Sequence, residues 1–128
     1  RQVPGARNAL GELKILFPNK HAIYMHDTPA KGLFQAESRA FSHGCIRLND
    51  PRAMAAAVLG KPLDYVAQKL AQGHSMERVP EEIPVYVAYF TAWPNADGAI
   101  EYFADVYDRD ASLKAAMDKT DAQRMPSS

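Results

Sequence analysis

The sequence predicts a mixed β and α fold with two or three short helices. Apolar runs of strand length occur near the start, at residues 13–17 and 21–26, and again at 83–93 and 99–107. Two short segments between them carry helical start and stop signals. Strands that flank a helical middle are typical of a mixed sheet-and-helix domain.

The first two apolar runs are predicted to form a hairpin. The intervening Pro-Asn-Lys at 18–20 is typical of a turn. In the second strand, alternation places Tyr24 and His26 on one face. Residues 27–32 end this strand, and residues 33–41 are expected to form a short helix or an ordered loop.

Two helices are predicted after residue 49. Asp50 is a favourable N-cap, Pro51 suits the first helical position, and Gly60 suits the C-terminal end. A second helix should begin after Pro62 and end at Gly73. Its apolar positions have the helical spacing of a core-facing stripe: Leu63, Val66, Ala67 and Leu70.

The last third of the chain is predicted to hold a second hairpin. Residues 83–93 give the strongest strand signal, and their near-continuous apolarity favours burial on both faces. An Asp-Gly turn within 94–98 leads to a returning strand at 99–107. A terminal helix is expected at 111–119, and residues 120–128 are expected to be a disordered tail.

Length and charge exclude several classes of protein. The 128 residues suit one domain, and 15 basic against 15 acidic residues give no net charge, with a pI near 7.1. No overall field favours nucleic acid, and no apolar run is long enough for a membrane span. The single cysteine excludes an internal disulfide and every zinc site that needs two thiolates.

That cysteine, Cys45, stands in an unusual setting. A lone cysteine is commonly a small buried hydrophobe. In an extended segment, however, alternation would present three reactive or polar side chains on one face: His43, Cys45 and Arg47. Ile46 and Leu48 would anchor the other face. This pattern favours a displayed, reactive thiol.

A nucleophilic cysteine needs a base, and four histidines compete for that role. His21 and His74 lie in a turn and a polar loop and are expected at the surface. His43 can meet the Cys45 sulfur only if the backbone bends at the glycine between them. His26 would approach from another strand. Geometry prefers His26 slightly and leaves both candidates open.

Two motifs resemble a known family. Residues 24–29, Tyr-Met-His-Asp-Thr-Pro, followed by residues 42–48, Ser-His-Gly-Cys-Ile-Arg-Leu, resemble the catalytic signature of the YkuD-type L,D-transpeptidases, which cross-link bacterial peptidoglycan. Residues 8–11, 17–19 and 89–93 resemble the larger, periplasmic Gram-negative branch of that family. The resemblance extends from about residue 4 to residue 110.

The resemblance implies a role for each motif residue. Cys45 would be the nucleophile and His26 the general acid and base, oriented by the backbone carbonyl of Asp27. Backbone N–H groups around Gly44 and Cys45 would form the oxyanion hole, with His43 in support.

Three further residues would complete the site. Arg47 would either bind a substrate carboxylate or brace the loop through hydrogen bonds. Tyr24 would line the pocket, although a core aromatic residue would fit the pattern equally well, and Ser42 is a further candidate for substrate binding.

The same resemblance implies the cellular setting. The partners would be peptidoglycan stem peptides and carbapenem inhibitors, with no cofactor and no metal, in the periplasm of a Gram-negative bacterium and in the service of cell-wall biogenesis and cell shape. Residues 1–119 would be the C-terminal part of a YkuD-like β-sandwich catalytic domain. The chain starts without Met, so a preceding portion that includes a targeting segment is expected.

Three alternatives remain at this point. A papain-like thiol hydrolase, amidase or carboxypeptidase would use the same cysteine and histidine with water as acceptor. A noncatalytic wall-binding module would keep the motif without the activity. A metal site formed by His26, His43 and Cys45 is a permissible zinc set.

Overall fold

The structure, a computed structural model, describes residues 5, 7–42 and 44–124. Its described residues fall into two compact units that divide between Pro84 and Val85. The first unit contains a three-stranded sheet and two helices, and the second contains a hairpin and one helix. This content of mixed sheets and three helices confirms the predicted mixed β and α fold class.

The predicted first hairpin is confirmed, with shorter strands than expected. Strand β1 (Lys14–Leu16) pairs antiparallel with β2 (Tyr24–His26). Asn19 organises the connection, because its side-chain oxygen accepts hydrogen bonds from the backbone N–H groups of His21 and Ile23, both at 3.0 Å. In a turn, where no strand-to-strand hydrogen bonds are available, an Asn side chain can provide the hydrogen bonds that backbone N–H groups need.

A third strand completes the sheet. After a 3-10 helix (Lys31–Gln35), strand β3 (Ile46–Arg47) pairs parallel with β2. The sheet order is therefore β1-β2-β3, with β2 in the middle. The residue that follows β3, Leu48, is buried, as expected for an anchor of the cysteine segment.

Both central helices match their sequence signals. Helix α1 (Pro51–Leu59) starts with Asp50 as N-cap, whose Oδ1 accepts a hydrogen bond from the backbone N–H of Ala53 at 2.9 Å. Gly60 ends the helix in the left-handed conformation. Helix α2 (Leu63–Ala71) follows and buries Val66 from the predicted apolar stripe.

The long strand predicted at residues 83–93 is wrong over most of its length. Only β4 (Ala92–Pro94) is a strand, paired antiparallel with β5 (Ile100–Tyr102) across the predicted Asp-Gly turn. Tyr86 and Val87 are 87% and 66% exposed, so burial on both faces is also wrong. A strand needs a hydrogen-bonded neighbour, and within the described residues only the end of this run has one.

The second unit ends in a helix that is longer than expected. Helix α3 (Asp110–Arg124) includes residues 120–124, which the sequence analysis assigns to a disordered tail. No helix-breaking residue stands between Lys119 and Arg124, so the helix continues. An ion pair between Lys114 and Asp118 at 3.0 Å supports its exposed surface. Residues 125–128 lie outside the described residues.

Candidate active site

The parallel pairing of β2 and β3 brings the two sequence motifs together. His26 lies opposite Arg47, and Met25 lies opposite Ile46. Paired residues of neighbouring strands share a face, and alternate residues of one strand return to that face. Tyr24, His26 and Arg47 therefore belong to one face of the sheet. Cys45 is the residue before β3, so the same register extended back by one residue would bring it opposite Tyr24.

The His26 and Cys45 side chains are thus diagonal neighbours across two strands. Neighbouring strands are about 4.8 Å apart and two residues along a strand rise about 6.6 Å, so the Cα atoms of such neighbours are about 8 Å apart. His26 is buried, with 5% exposure, whereas Cys45 is partly exposed. The imidazole is therefore sheltered from solvent, whereas the thiol is accessible.

The His26 ring is held by its backbone neighbour. Its Nδ1 atom lies 2.5 Å from the carbonyl oxygen of Asp27. Because a carbonyl only accepts, Nδ1 carries the proton, and the neutral ring then keeps its lone pair at Nε2. The Tyr24 ring also contacts the imidazole, with ring centroids 5.8 Å apart. The ring is therefore fixed in a tautomer that can accept a proton at Nε2.

The side chain of Asp27 has a separate set of partners. Its Oδ1 accepts from the backbone N–H of Thr28 at 2.7 Å and pairs with Lys31 Nζ at 2.8 Å, while Oδ2 accepts from the backbone N–H of Glu12 at 3.0 Å. Burial of this carboxyl raises its pKa, but the hydrogen bonds from Lys31, Glu12 and Thr28 outweigh burial, and the pKa lies below its ordinary 3.8. The group is therefore a carboxylate at neutral pH.

The loop before Cys45 is shaped by Ser42. Ser42 Oγ donates to the carbonyl oxygen of Cys45 at 2.7 Å and accepts from the backbone N–H of Gly44 at 3.2 Å. Gly44 has φ +140°, a conformation that L side chains rarely adopt. The Ser42 hydroxyl thus holds the backbone that carries the thiol, and the Gly44 N–H points to that hydroxyl. His43 lies outside the described residues.

A cavity of about 340 Å³ lies beside this site. Its lining includes Glu12, Asp27, Lys31, Asn49 and Arg52, and neither Cys45 nor His26 contributes to it. Arg52 and Glu12 form an ion pair at its wall, with 2.6 Å between Nε and Oε1.

Sequence reasoning did not single out Lys31 or Glu12, although both contact the Asp27 carboxylate. The spacing of four residues between Asp27 and Lys31 is an ordinary signal of an ion pair on a helix. Here, however, Asp27 follows the last residue of β2 and Lys31 is the first residue of the 3-10 helix. Because the two residues are not on one helix, helical periodicity does not predict their ion pair.

Two other findings on the described residues concern a membrane span and a metal site. No helix among them has the length and apolarity needed to cross a bilayer. No group of three or more His, Cys, Asp or Glu side chains among them is arranged to hold a metal ion. The zinc alternative also requires His43, which is outside the described residues.

A buried histidine on β2, with its ring held by a backbone carbonyl, and a partly exposed cysteine directly before the paired strand β3 define a candidate site for thiol-dependent acyl transfer. Comparison with known proteins identifies the family. The family model of the YkuD L,D-transpeptidase catalytic domain matches residues 1–87, and the chain belongs to that family. This family acts on peptidoglycan, which indicates the cell envelope.

A relative extends the similarity beyond residue 87. A Haemophilus influenzae protein named "Putative L,D-transpeptidase" is 32% identical over 120 residues, a stretch that covers 91% of this chain. The chain spans only 24% of that relative's length. The similarity therefore reaches into the second unit, while most of the relative has no counterpart here.

Proposed function

We propose that the protein is a peptidoglycan L,D-transpeptidase that works through a thioester on Cys45. One observation supports the proposal: the parallel pairing of β2 and β3, which joins the strand that contains His26 to the strand that follows Cys45. Family membership supports the substrate class, and the match over residues 1–87 includes both motifs. The site of action would be the periplasm of a Gram-negative bacterium.

The reaction would consist of two acyl transfers. His26 Nε2 takes the thiol proton, and the thiolate attacks the carbonyl carbon between the third and fourth residues of a donor stem peptide. As the tetrahedral intermediate collapses, a C–S bond remains, the C–N bond breaks, and the leaving amine takes the proton from His26. The side-chain amine of a diamino acid on a neighbouring stem then attacks the thioester carbonyl and gives a proton to His26. A new C–N bond forms, the C–S bond breaks, and His26 returns the proton to the sulfur.

The remaining site residues would assist these steps. Backbone N–H groups at Gly44 and Cys45 would stabilise the oxyanion. In the structure the Gly44 N–H donates to Ser42 Oγ, so this role requires the substrate oxygen to replace that hydroxyl. Ser42 would then act mainly on loop geometry, and Arg47 would bind a stem carboxylate or brace the strand.

Acylation by a carbapenem tests the proposal directly. Intact-protein mass spectrometry of the full-length protein should find one covalent adduct on the wild type and none on Cys45→Ala. His26→Ala should acylate more slowly, by about 100-fold or more, as expected for loss of a general base. An unmodified wild type would contradict the enzymatic proposal, and fast acylation of His26→Ala would contradict His26 as the base.

The fate of the acyl group separates a transpeptidase from a hydrolase. An acyl-enzyme formed from a stem peptide and offered both water and a diamino acid should release mainly the cross-linked product. If hydrolysis dominates at an amine concentration on the order of 1 mM, well within the ordinary substrate range, the carboxypeptidase alternative is correct. Both outcomes would retain Cys45 as nucleophile.

A further inference from the structure

Lys31 lies at a junction between the two strands of the candidate site. Its ammonium group is 2.8 Å from Asp27 Oδ1, 2.8 Å from the carbonyl oxygen of Leu48 and 2.7 Å from the carbonyl oxygen of Asn49. A lysine ammonium has three N–H donors. All three therefore have an acceptor, and these acceptors come from two separate segments of the chain.

The first segment carries the histidine. Asp27 follows His26 directly, and its carbonyl oxygen accepts the Nδ1 proton of the ring. Its carboxylate is held by Lys31 and by the backbone N–H groups of Glu12 and Thr28. A shift of this carboxylate would move the residue whose carbonyl orients the imidazole.

The second segment follows the cysteine. Leu48 and Asn49 are three and four residues after Cys45, at the point where β3 ends. Leu48 is also tied to the other strand by its backbone N–H, which donates to the carbonyl oxygen of His26 at 2.8 Å. Lys31 therefore adds two hydrogen bonds at the end of the ladder that joins β2 to β3, where β3 contains only two residues.

We infer that Lys31 is a positioning residue that fixes the strand of His26 relative to the strand of Cys45 through Asp27, Leu48 and Asn49. The inference deepens the proposed function and rests on it. Lys31 touches neither reacting group. It acts by fixing the distance between the Cys45 thiol and the His26 imidazole, because proton transfer between them depends on that distance.

The position of Lys31 separates this role from one in overall stability. Its side chain is 41% exposed and that of Asp27 is 12% exposed, and without Lys31 the Asp27 carboxylate keeps the backbone N–H groups of Glu12 and Thr28 as hydrogen-bond donors. Its loss should therefore leave the fold in place and alter the alignment of two short strands. The experiment must therefore measure the reactivity of the Cys45 thiol as well as folding.

The experiment measures alkylation of Cys45 by iodoacetamide in the full-length protein between roughly pH 5 and 9, the range in which a histidine titrates. Wild type should keep appreciable reactivity at low pH because His26 draws the thiol proton, and His26→Ala should lose it. Lys31→Met should shift toward the His26→Ala profile, with the low-pH rate reduced at least about tenfold, since small misplacements are costly in such pairs.

Conservative and remote variants provide the controls. Lys31→Arg keeps a positive charge with several donors and should recover most of the wild-type rate. Lys114→Met removes another Lys–Asp pair of the same four-residue spacing, Lys114–Asp118, whose lysine side chain is 74% exposed. It should leave the profile unchanged. Circular dichroism of each variant establishes that it is folded.

The outcomes separate this inference from the proposed function. If wild type and His26→Ala react alike, the proposed acid-base pair fails and the inference falls with it. If they differ but Lys31→Met follows the wild type, only the role of Lys31 is overturned. If Lys31→Met does not fold, Lys31→Ala replaces it, because it also removes all three donors; a folded Lys31→Ala with the wild-type profile overturns the inference equally.

Discussion

His26 lies directly opposite Arg47 in the parallel register of β2 and β3. This pairing joins a histidine and an arginine that are 21 positions apart in the chain, and it sets the spacing between the imidazole and the thiol two residues before the arginine. The site therefore depends on two very short strands. The residues that hold the ends of these strands should matter as much as the reactive side chains.

Gly11 is one such residue. It adopts φ +61°, and a Cβ atom added there would overlap the Asp27 carboxylate. Gly11→Ala should therefore lower the free energy of unfolding through backbone strain and through displacement of Asp27, and should slow carbapenem acylation. Chemical denaturation and intact-protein mass spectrometry measure the two effects.

Gly60→Ala is the matched control for Gly11→Ala. Gly60 has the same φ of +61° but has open space around its Cβ position. Its substitution should cost about 1–2 kcal/mol from the left-handed conformation alone, with acylation unchanged. Gly11→Ala should cost about 1–3 kcal/mol more, as overpacking does. Equal losses in the two variants would mean that Asp27 tolerates the added methyl group.

The lowered pKa of the Asp27 carboxyl leads us to expect that the free energy of unfolding depends on pH. Its pKa in the folded protein lies below the ordinary 3.8, so the folded state favours the charged form. The resulting stabilisation is fully present above the unfolded-state pKa of about 3.9 and is lost as pH falls through the folded-state pKa. The free energy of unfolding should therefore decrease more steeply with falling pH below about pH 4.

Asp27→Asn isolates this contribution. The variant should be less stable than wild type at about pH 7. The difference should shrink as pH falls from about 4 through the lower folded-state pKa, because the unfolded wild type binds the proton first and the folded wild type binds it last. Urea denaturation at several pH values measures it. Asp64→Asn, at an exposed position in the first turn of α2, controls for the loss of one carboxyl group. A difference that stays constant with pH would contradict the assignment.

Local sequence signals predicted some parts of the fold well. The start of α1 follows from Asp50 and Pro51, and its end follows from Gly60, because caps depend on a few adjacent residues. The hairpin of β1 and β2 is likewise governed by a turn within the same segment. His26, Asp27 and Cys45 were predicted as site residues from their motifs. The structure adds the register that relates them.

Features that depend on distant partners were not predictable in the same way. The apolar run at 83–90 has strand propensity, but no strand pairing involves it among the described residues, and propensity alone does not make a strand. The contacts of Lys31 with Asp27, Leu48 and Asn49 require the parallel pairing of β3 before they can exist. Such contacts have no periodic signature in the sequence.

The N-cap of α1 gives a stability prediction close to the site. Asp50 follows the residues that Lys31 contacts, and its Oδ1 accepts the backbone N–H of Ala53. Asp50→Ala should reduce the free energy of unfolding by about 1 kcal/mol, and Asp50→Ser, which can also cap, by only a few tenths. Thermal denaturation of both variants measures the difference. Equal losses would show that the cap hydrogen bond contributes nothing.

A hydrogen bond in the second unit gives a prediction independent of the active site. Tyr89 Oη donates to Asp105 Oδ1 at 2.5 Å, and the backbone N–H of Asp110 donates to Oδ2 at 2.7 Å. The tyrosine hydrogen bond, followed by backbone N–H groups, lowers the pKa of Asp105 to about 2. A hydrogen bond to the charged form favours ionisation.

Removal of the tyrosine hydroxyl should reverse part of this shift. In Tyr89→Phe the pKa of Asp105 should rise toward its ordinary 3.8, because the strongest donor is gone while the backbone donors remain. NMR titration of the Asp105 carboxyl carbon measures the value. Tyr86→Phe, at a position that is 87% exposed, should leave it unchanged. A pKa of about 2 in Tyr89→Phe would mean that the backbone N–H groups alone hold the carboxylate.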